Sequence, residues 1–180
     1  HALYLAKGVN INKMIAEIYG KVTGCSAGKG GSMHLIDTSV GFMGSTAIVG
    51  NTIPIAVGLA LSIQLKGTNN ISCVIVTTGP GSTNSITGLL SAWQDSVPCL
   101  FVSGQARSNH VSYGKKVRQV GTQEANIVDI VKPITKYAKF INKKEIFVDE
   151  LIKAIKIAKS GRPGPVWIDV ALDTQWSDIK

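Results

Sequence analysis

The feature that most constrains the fold is the alternation of short β-rich apolar runs with helix-compatible stretches over the last two thirds of the chain. Ile71 to Thr77, Cys99 to Ser103 and Val166 to Val170 read as buried strands, and Lys136 to Ile141 as an extended segment. Between them, Ile53 to Leu65, Ser85 to Gln94, Ala125 to Lys132 and Ile146 to Lys159 carry helical spacing. The last is amphipathic, with Val148, Leu151, Ile152 and Ile155 on one face. Strands alternating with helices predict an α/β fold of three layers, a mainly parallel sheet with helices on both faces. In such a sheet ligands collect at the carboxyl ends of strands, here just after Thr77 and just after Ser103.

The first part of the chain reads differently. Met14, Ile15, Ile18 and Tyr19 recur at helical spacing between Asn12 and about Val22, predicting a short amphipathic helix. Residues 24 to 50 are glycine-rich and aperiodic, too long for an ordinary connection, and loops of that length in compact domains are usually functional. Gly28-Lys-Gly-Gly-Ser-Met-His34 combines backbone freedom, a cation and an imidazole, which could approach an anion or a carbonyl. It lacks the spacing and terminal Lys-Ser/Thr of a P-loop, and an ordinary loop is the alternative.

With 180 residues, 44% of them apolar and 17% charged, the expectation is one folded domain over residues 1–180. The formal charge of +8 comes largely from lysines, several clustered between Lys132 and Lys159. No nucleic-acid motif accompanies them, so solvated lysine faces are expected and no nucleic-acid partner. Cys25, Cys73 and Cys99 are scattered and odd in number, as expected of structural thiols in a reducing compartment. No apolar stretch reaches the roughly 20 residues that span a bilayer, and no signal-peptide pattern opens the chain. A cytoplasmic protein without a membrane partner is expected. The chain opens on His1 rather than Met, which suggests that sequence upstream has been removed.

Several motifs, taken in order, carry a family resemblance. His1-Ala-Leu-Tyr-Leu-Ala-Lys-Gly8, Met14-Ile-Ala-Glu-Ile-Tyr-Gly20, Gly28-Lys-Gly-Gly-Ser-Met-His34 and Ala47-Ile-Val-Gly50 resemble the alpha subunit of pyruvate and other 2-oxo acid dehydrogenases, over residues 1–73. From Val74 the resemblance changes. Thr78-Gly-Pro-Gly-Ser-Thr-Asn84, Asp95-Ser-Val-Pro98, Ser103-Gly-Gln105, Gly121-Thr-Gln-Glu124, Asp129-Ile-Val-Lys-Pro-Ile-Thr-Lys136 and Gly161-Arg-Pro-Gly-Pro-Val-Trp-Ile-Asp169 look like the pyrimidine-binding domain of acetolactate synthase, over residues 74–172. Both families depend on thiamine diphosphate. The chain thus resembles a fusion of two related halves, 1–73 and 74–180. Recombination, internal deletion, an assembly artefact or deliberate chimera building would each produce it.

The resemblance implies specific roles. Ile48, Val49 and Gly50 fall where the dehydrogenase family packs against the cofactor's aminopyrimidine, and His1 and His34 fall on its active-site histidines. A loop histidine with local hydrogen bonds is the alternative for His34. Gly79, Pro80, Gly81 and Asn84 lie where the synthase family has its cofactor-end loop, near the dimer interface, and Gln123 matches a glutamine that reaches toward the reacting carbon. Here a plain strand-to-helix turn, with Asn84 as an N-cap, is the alternative.

Two family elements are missing. The magnesium-binding Gly-Asp-Gly is replaced at the strand end by Thr77-Thr-Gly-Pro-Gly81, and no Asp or Glu stands between Asp37 and Asp95, where the activating glutamate would fall. The family implies thiamine diphosphate with magnesium, but no metal ligands are found here. The resemblance therefore implies a subunit, fragment or chimera of an enzyme that decarboxylates a 2-oxo acid such as pyruvate and transfers a two-carbon unit, inactive alone. It would work as a homodimer or with a complementary subunit. A noncatalytic module pairing with a complete subunit is the alternative.

Overall fold

The computed structural model describes residues 1–178. The chain packs as two compact units, 1–52 and 53–180.

The first unit holds two short helices, α1 (Ala2–Ala6) and α2 (Ile11–Ile18), followed by the long loop. Asn10 caps α2, its side chain accepting from the amides of Asn12 and Lys13. The helix ends at Ile18, short of the expected Val22, and its buried face differs from the expected one. Met14 is buried, but Ile15, Ile18 and Tyr19 are exposed, and the second buried residue is Glu17. The core is small: Tyr4, Val9, Met14 and Leu35, with Phe42 set edge-on to Tyr4.

The second unit is built on β1 (Ser72–Val76), β2 (Cys99–Gln105), β3 (Tyr137–Ile141) and β4 (Val166–Ala171). The order is β1-β2-β4-β3, and every neighbouring pair is parallel. Helices α3 (Thr52–Leu65), α4 (Pro80–Thr83), α5 (Ile86–Gln94), α6 (Ile127–Val131), α7 (Phe147–Lys159) and α8 (Leu172–Gln175) complete it, α3 entering from Ile53 on.

Successive strand residues face opposite sides of a sheet, so its two faces form separate cores. On one side Val74, Cys99, Phe101 and Trp167 meet Ile53, Ala56 and Ala60 of α3, Leu89 and Ala92 of α5, and Ile127 and Val131 of α6. On the other, Leu100, Ile141, Val166, Ile168 and Val170 meet Ala154 and Ala158 of α7. The fold is the expected three-layer α/β arrangement with a parallel sheet.

Two details correct the sequence reading. Val148 and Ile152 of α7 are exposed; the helix packs through Phe147, Leu151, Ala154, Ile155 and Ala158, because small alanines allow close approach to the sheet. Cys99 is buried and Cys25 half-buried, but Cys73 is exposed, because it lies on the alternate side of β1 from buried Val74. Lys136 and Lys159 of the lysine-rich stretch donate to backbone carbonyls, Lys136 to Ile157 and Ser160, and Lys159 to Asn69. Among the described residues, no helix is long and apolar enough to cross a membrane.

Candidate functional site

The expected site residues divide between the units. His1, His34, Ile48, Val49 and Gly50 belong to the first; Gly79, Pro80, Gly81, Asn84 and Gln123 belong to the second.

In the first unit the long loop is organised by Glu17. Its carboxylate, fully buried, accepts from the amides of Ser26 at 2.7 Å, Gly28 at 2.9 Å and Gly30 at 2.6 Å. Burial works against that charge, but the bonds from Gly28, Ser26 and Gly30 outweigh it and hold the carboxyl below its ordinary range. On the loop so fixed, His1 Nε2 meets the Ser32 carbonyl at 3.2 Å. His34 is exposed; its amide donates to Gly30 and its carbonyl accepts from Ser26 Oγ. Both histidines therefore anchor on the segment 30–34. Ile48 and Val49 are exposed, and the Ile48 amide is held by Thr46 Oγ1 at 3.1 Å.

In the second unit β1 runs out into Thr77 and Thr78, and Gly79 then caps α4, with Pro80 in the first helical position. Gly79 has φ +59° and ψ −107°, and a Cβ there would lie 2.2 Å from the Gln123 carbonyl oxygen. Only glycine fits. Gln123 itself has φ +58°, uncommon for a residue with a side chain, and it is exposed. The structure thus brings Gly79 and Gln123 into contact, although 44 positions separate them. Asn84 adopts helical angles between α4 and α5 and closes α4 at its C-terminal end, so it is not the N-cap of the helix after it; that position falls to Ser85.

Glu124 holds the Gln123 loop in shape. Its carboxylate accepts from the amide and hydroxyl of Ser112 and from the amides of Val120, at 2.8 Å, and Gly121, at 3.1 Å. Burial pushes this carboxyl up, but those bonds outweigh it and bring it down to about 2.

Beneath the two loops, one sheet face changes character within two residues. Phe101 and Trp167 stack with ring centroids 5.4 Å apart, and the next residues on that side, Ser103, Gln105 and Asp169, are polar yet buried. Asp169 accepts from Ser103 Oγ at 2.5 Å, from Gln105 Nε2 at 3.0 Å and from Tyr113 at 3.4 Å. Trp167 Nε1 donates to Ser103 Oγ at 2.9 Å. Burial raises the Asp169 carboxyl to about 6 despite these partners. The motifs assign no role to Glu17, Glu124 or Asp169. The signals that could have found them are an acid preceding a loop full of unpaired amides and a lone acid in an otherwise apolar strand.

A magnesium diphosphate does not fit these residues. Among the described residues, no group of three or more His, Cys, Asp or Glu could hold a metal ion. The acids of this region, Glu124 and Asp169, are committed to loop amides and to the buried network.

Residues 44–130 match the family described as thiamine pyrophosphate enzyme, N-terminal TPP binding domain. The four-stranded parallel sheet flanked by helices agrees with that class. The chain is 41% identical to the acetolactate synthase large subunit of Haemophilus influenzae over 109 residues, 61% of this chain and 18% of that protein. It is 44% identical to the alpha subunit of the pyruvate dehydrogenase E1 component of Rickettsia bellii over 84 residues, 47% of this chain and 25% of that protein. It is also 39% identical over 108 residues to the alpha subunit of the acetoin:2,6-dichlorophenolindophenol oxidoreductase of Bacillus subtilis, 57% of this chain and 31% of that protein. The chain spans less than a third of each of these relatives.

Likeness to both branches, expected from the motifs, is found. The boundary is less sharp than a switch at Val74: the family match starts well upstream, and the shares matched by the synthase and dehydrogenase relatives together exceed the chain, so they overlap.

Proposed function

We propose that this chain is a subunit, fragment or fusion of a thiamine-diphosphate-dependent enzyme that acts on a 2-oxo acid such as pyruvate, by decarboxylation and two-carbon transfer. The observation that carries the reading is the contact of Gly79 with Gln123 at the carboxyl end of the sheet, within the segment matched by the family. In this reading Gly79, Pro80, Gly81 and Asn84 form the cofactor-facing loop of the second unit, and Gln123 lies toward the reacting carbon. Ile48, Val49 and Gly50 contact the aminopyrimidine from the first half, with His1 and His34 orienting substrate or moving protons. Residues 1–180 act as one domain of the thiamine-diphosphate type, in the cytoplasm.

Thiamine diphosphate would supply the electron sink for decarboxylation, while this chain's residues would supply position and electrostatics. Because no Asp or Glu lies between Asp37 and Asp95, and a second copy of this chain lacks them too, the acid that activates the aminopyrimidine and the carboxylate that holds magnesium must come from a complementary subunit. The chain alone does not turn over. Isothermal titration with thiamine diphosphate and magnesium tests the proposal. Binding heat beyond that of the partner alone is expected when a complete alpha or synthase subunit is present, and no added heat at millimolar cofactor with every such partner defeats it.

A second reading, a noncatalytic module that pairs with a complete subunit, is favoured by α3. That helix is apolar all round, and Ile55, Leu61 and Leu65 are exposed, joined by Leu90 and Trp93 of α5. Size-exclusion chromatography separates the readings: the module forms a complex that binds no cofactor beyond what its partner already binds.

A further inference from the structure

We propose that Gln105 is a positioning residue that couples the β1 exit loop to the Gln123 loop, with the orientation of its amide set by Asp169. One buried side chain, 4% exposed, bonds to both loops at once. Its Oε1 accepts from Thr78 Oγ1 at 3.0 Å, immediately before Gly79, and from its neighbour's amide, Ala106, at 2.9 Å. Its Nε2 donates to the Ala125 carbonyl at 2.8 Å, two residues beyond Gln123, and to Asp169 at 3.0 Å.

The polarity of this arrangement is forced. A carboxylate offers only acceptors, so Asp169 requires the NH2 end of the amide, which turns Oε1 to Thr78 and Ala106. Asp169 is fixed in turn by Ser103, itself fixed by the Trp167 indole. A reversed amide would set NH2 against the Ala106 N–H and oxygen against both the Ala125 carbonyl and Asp169. Thr78 and Ala125 are therefore held at one spacing, and with them the contact of Gly79 on Gln123.

The groups facing Asp169 carry no charge of their own. Ser103 and Gln105 face it from β2, Tyr113 from the loop after β2, and Phe140 pairs with it in register on β3. Tyr113 is the titratable one, and burial and Asp169 raise its phenol. Asp129 of α6 is exposed and bonded to Asn126, and Asp173 of α8 is bonded to Ser108.

That the two loops face a cofactor rests on the function proposed above; their coupling does not, and it is read without cofactor. The experiment is amide hydrogen exchange on the full chain, wild type against Gln105→Leu and Asp169→Asn. The amides of Thr83 and Asn84 report one loop and those of Glu124 and Ile127 the other. Exchange in both sets should rise together by about tenfold or more, as for a lost hydrogen bond between buried groups, while β3 and α7 keep their protection. A rise in one loop without the other, or no rise, overturns the coupling. Should both variants fail to fold, NMR titration of the wild type decides. The Trp167 indole, the Ala106 amide and the Ile127 amide should then share one midpoint, and separate or absent midpoints overturn it.

Discussion

Replacing Gly79 with alanine tests the site geometry most directly. Its φ of +59° with ψ of −107° is a region that residues with a Cβ avoid, at a cost of roughly 1–3 kcal/mol. The new Cβ would also stand 2.2 Å from the Gln123 carbonyl oxygen and 3.1 Å from its carbon, both backbone atoms that cannot rotate aside. Relieving such overpacking costs about 1–3 kcal/mol more. The control is Gly67→Ala, where φ is +63° and nothing lies within 4 Å of the added carbon, so that only the backbone cost of about 1–2 kcal/mol remains. Urea unfolding followed by tryptophan fluorescence measures both. With a slope of about 2 kcal/mol per M, Gly79→Ala should lower the midpoint by roughly 1–3 M and Gly67→Ala by less than about 1 M, with unchanged slopes. Equal shifts for the two variants would show that Gly79 does not touch Gln123, and the paired-loop site would fall with that contact.

Three further outcomes are expected. Glu124 titrates at about 2 when folded against an ordinary value of 4.5, so its stabilisation is full above pH 4.5 and is lost as pH falls toward 2. The difference in urea midpoint between wild type and Glu124→Gln should therefore shrink over that window. Asp169 is raised to about 6 from 3.8, the opposite sign: its contribution is full below pH 3.8 and declines as pH rises through 6. Asp169→Asn should remove that fall from the pH profile, whatever its effect at neutral pH. Glu17→Ala leaves the amides of Ser26, Gly28 and Gly30 without their acceptor, so trypsin should cut faster at Lys21 and Lys29 than at Lys153 and Lys156, with gel or mass analysis as the readout.

Periodicity places the strands because buried parallel strands are short, apolar and bounded by turns. Strand β2 nevertheless runs to Gln105 rather than Ser103, since Gly104 and Gln105 are held by register with Val170 and Ala171 rather than by any propensity of their own. Helix α1 leaves no trace in the pattern because five residues give a helical period too little room to repeat. The faces of α2 and α7 depart from expectation for a shared reason: the most apolar stripe is not the buried one. On α2 a carboxylate with three amide partners displaces isoleucine from the interior, and on α7 alanines displace valine and isoleucine. The second unit's loop is legible as Gly79, Pro80 and Gly81, and the motif containing Gln123 is visible too. Their contact is not, because it depends on two positive-φ residues far apart in the chain.

Strand β1, where the sequence motifs pass from one resemblance to the other, is tied to the same helix and the same neighbouring strand along its length. A parallel strand is specified mainly by its backbone ladder and by which alternate residues face inward, requirements that relatives of common topology share. Ser72, before the change, donates to the Ala56 carbonyl of α3 at 2.8 Å, and its own carbonyl accepts from Cys99 Sγ of β2 at 3.6 Å. Val74, after it, is buried in the same core as Ala56 and Cys99. Both sides of the change thus bind the same helix and the same neighbouring strand, and the inward positions 72, 74 and 76 keep one phase across it. A change of motif at Val74 therefore leaves the β1 ladder and its inward positions uninterrupted.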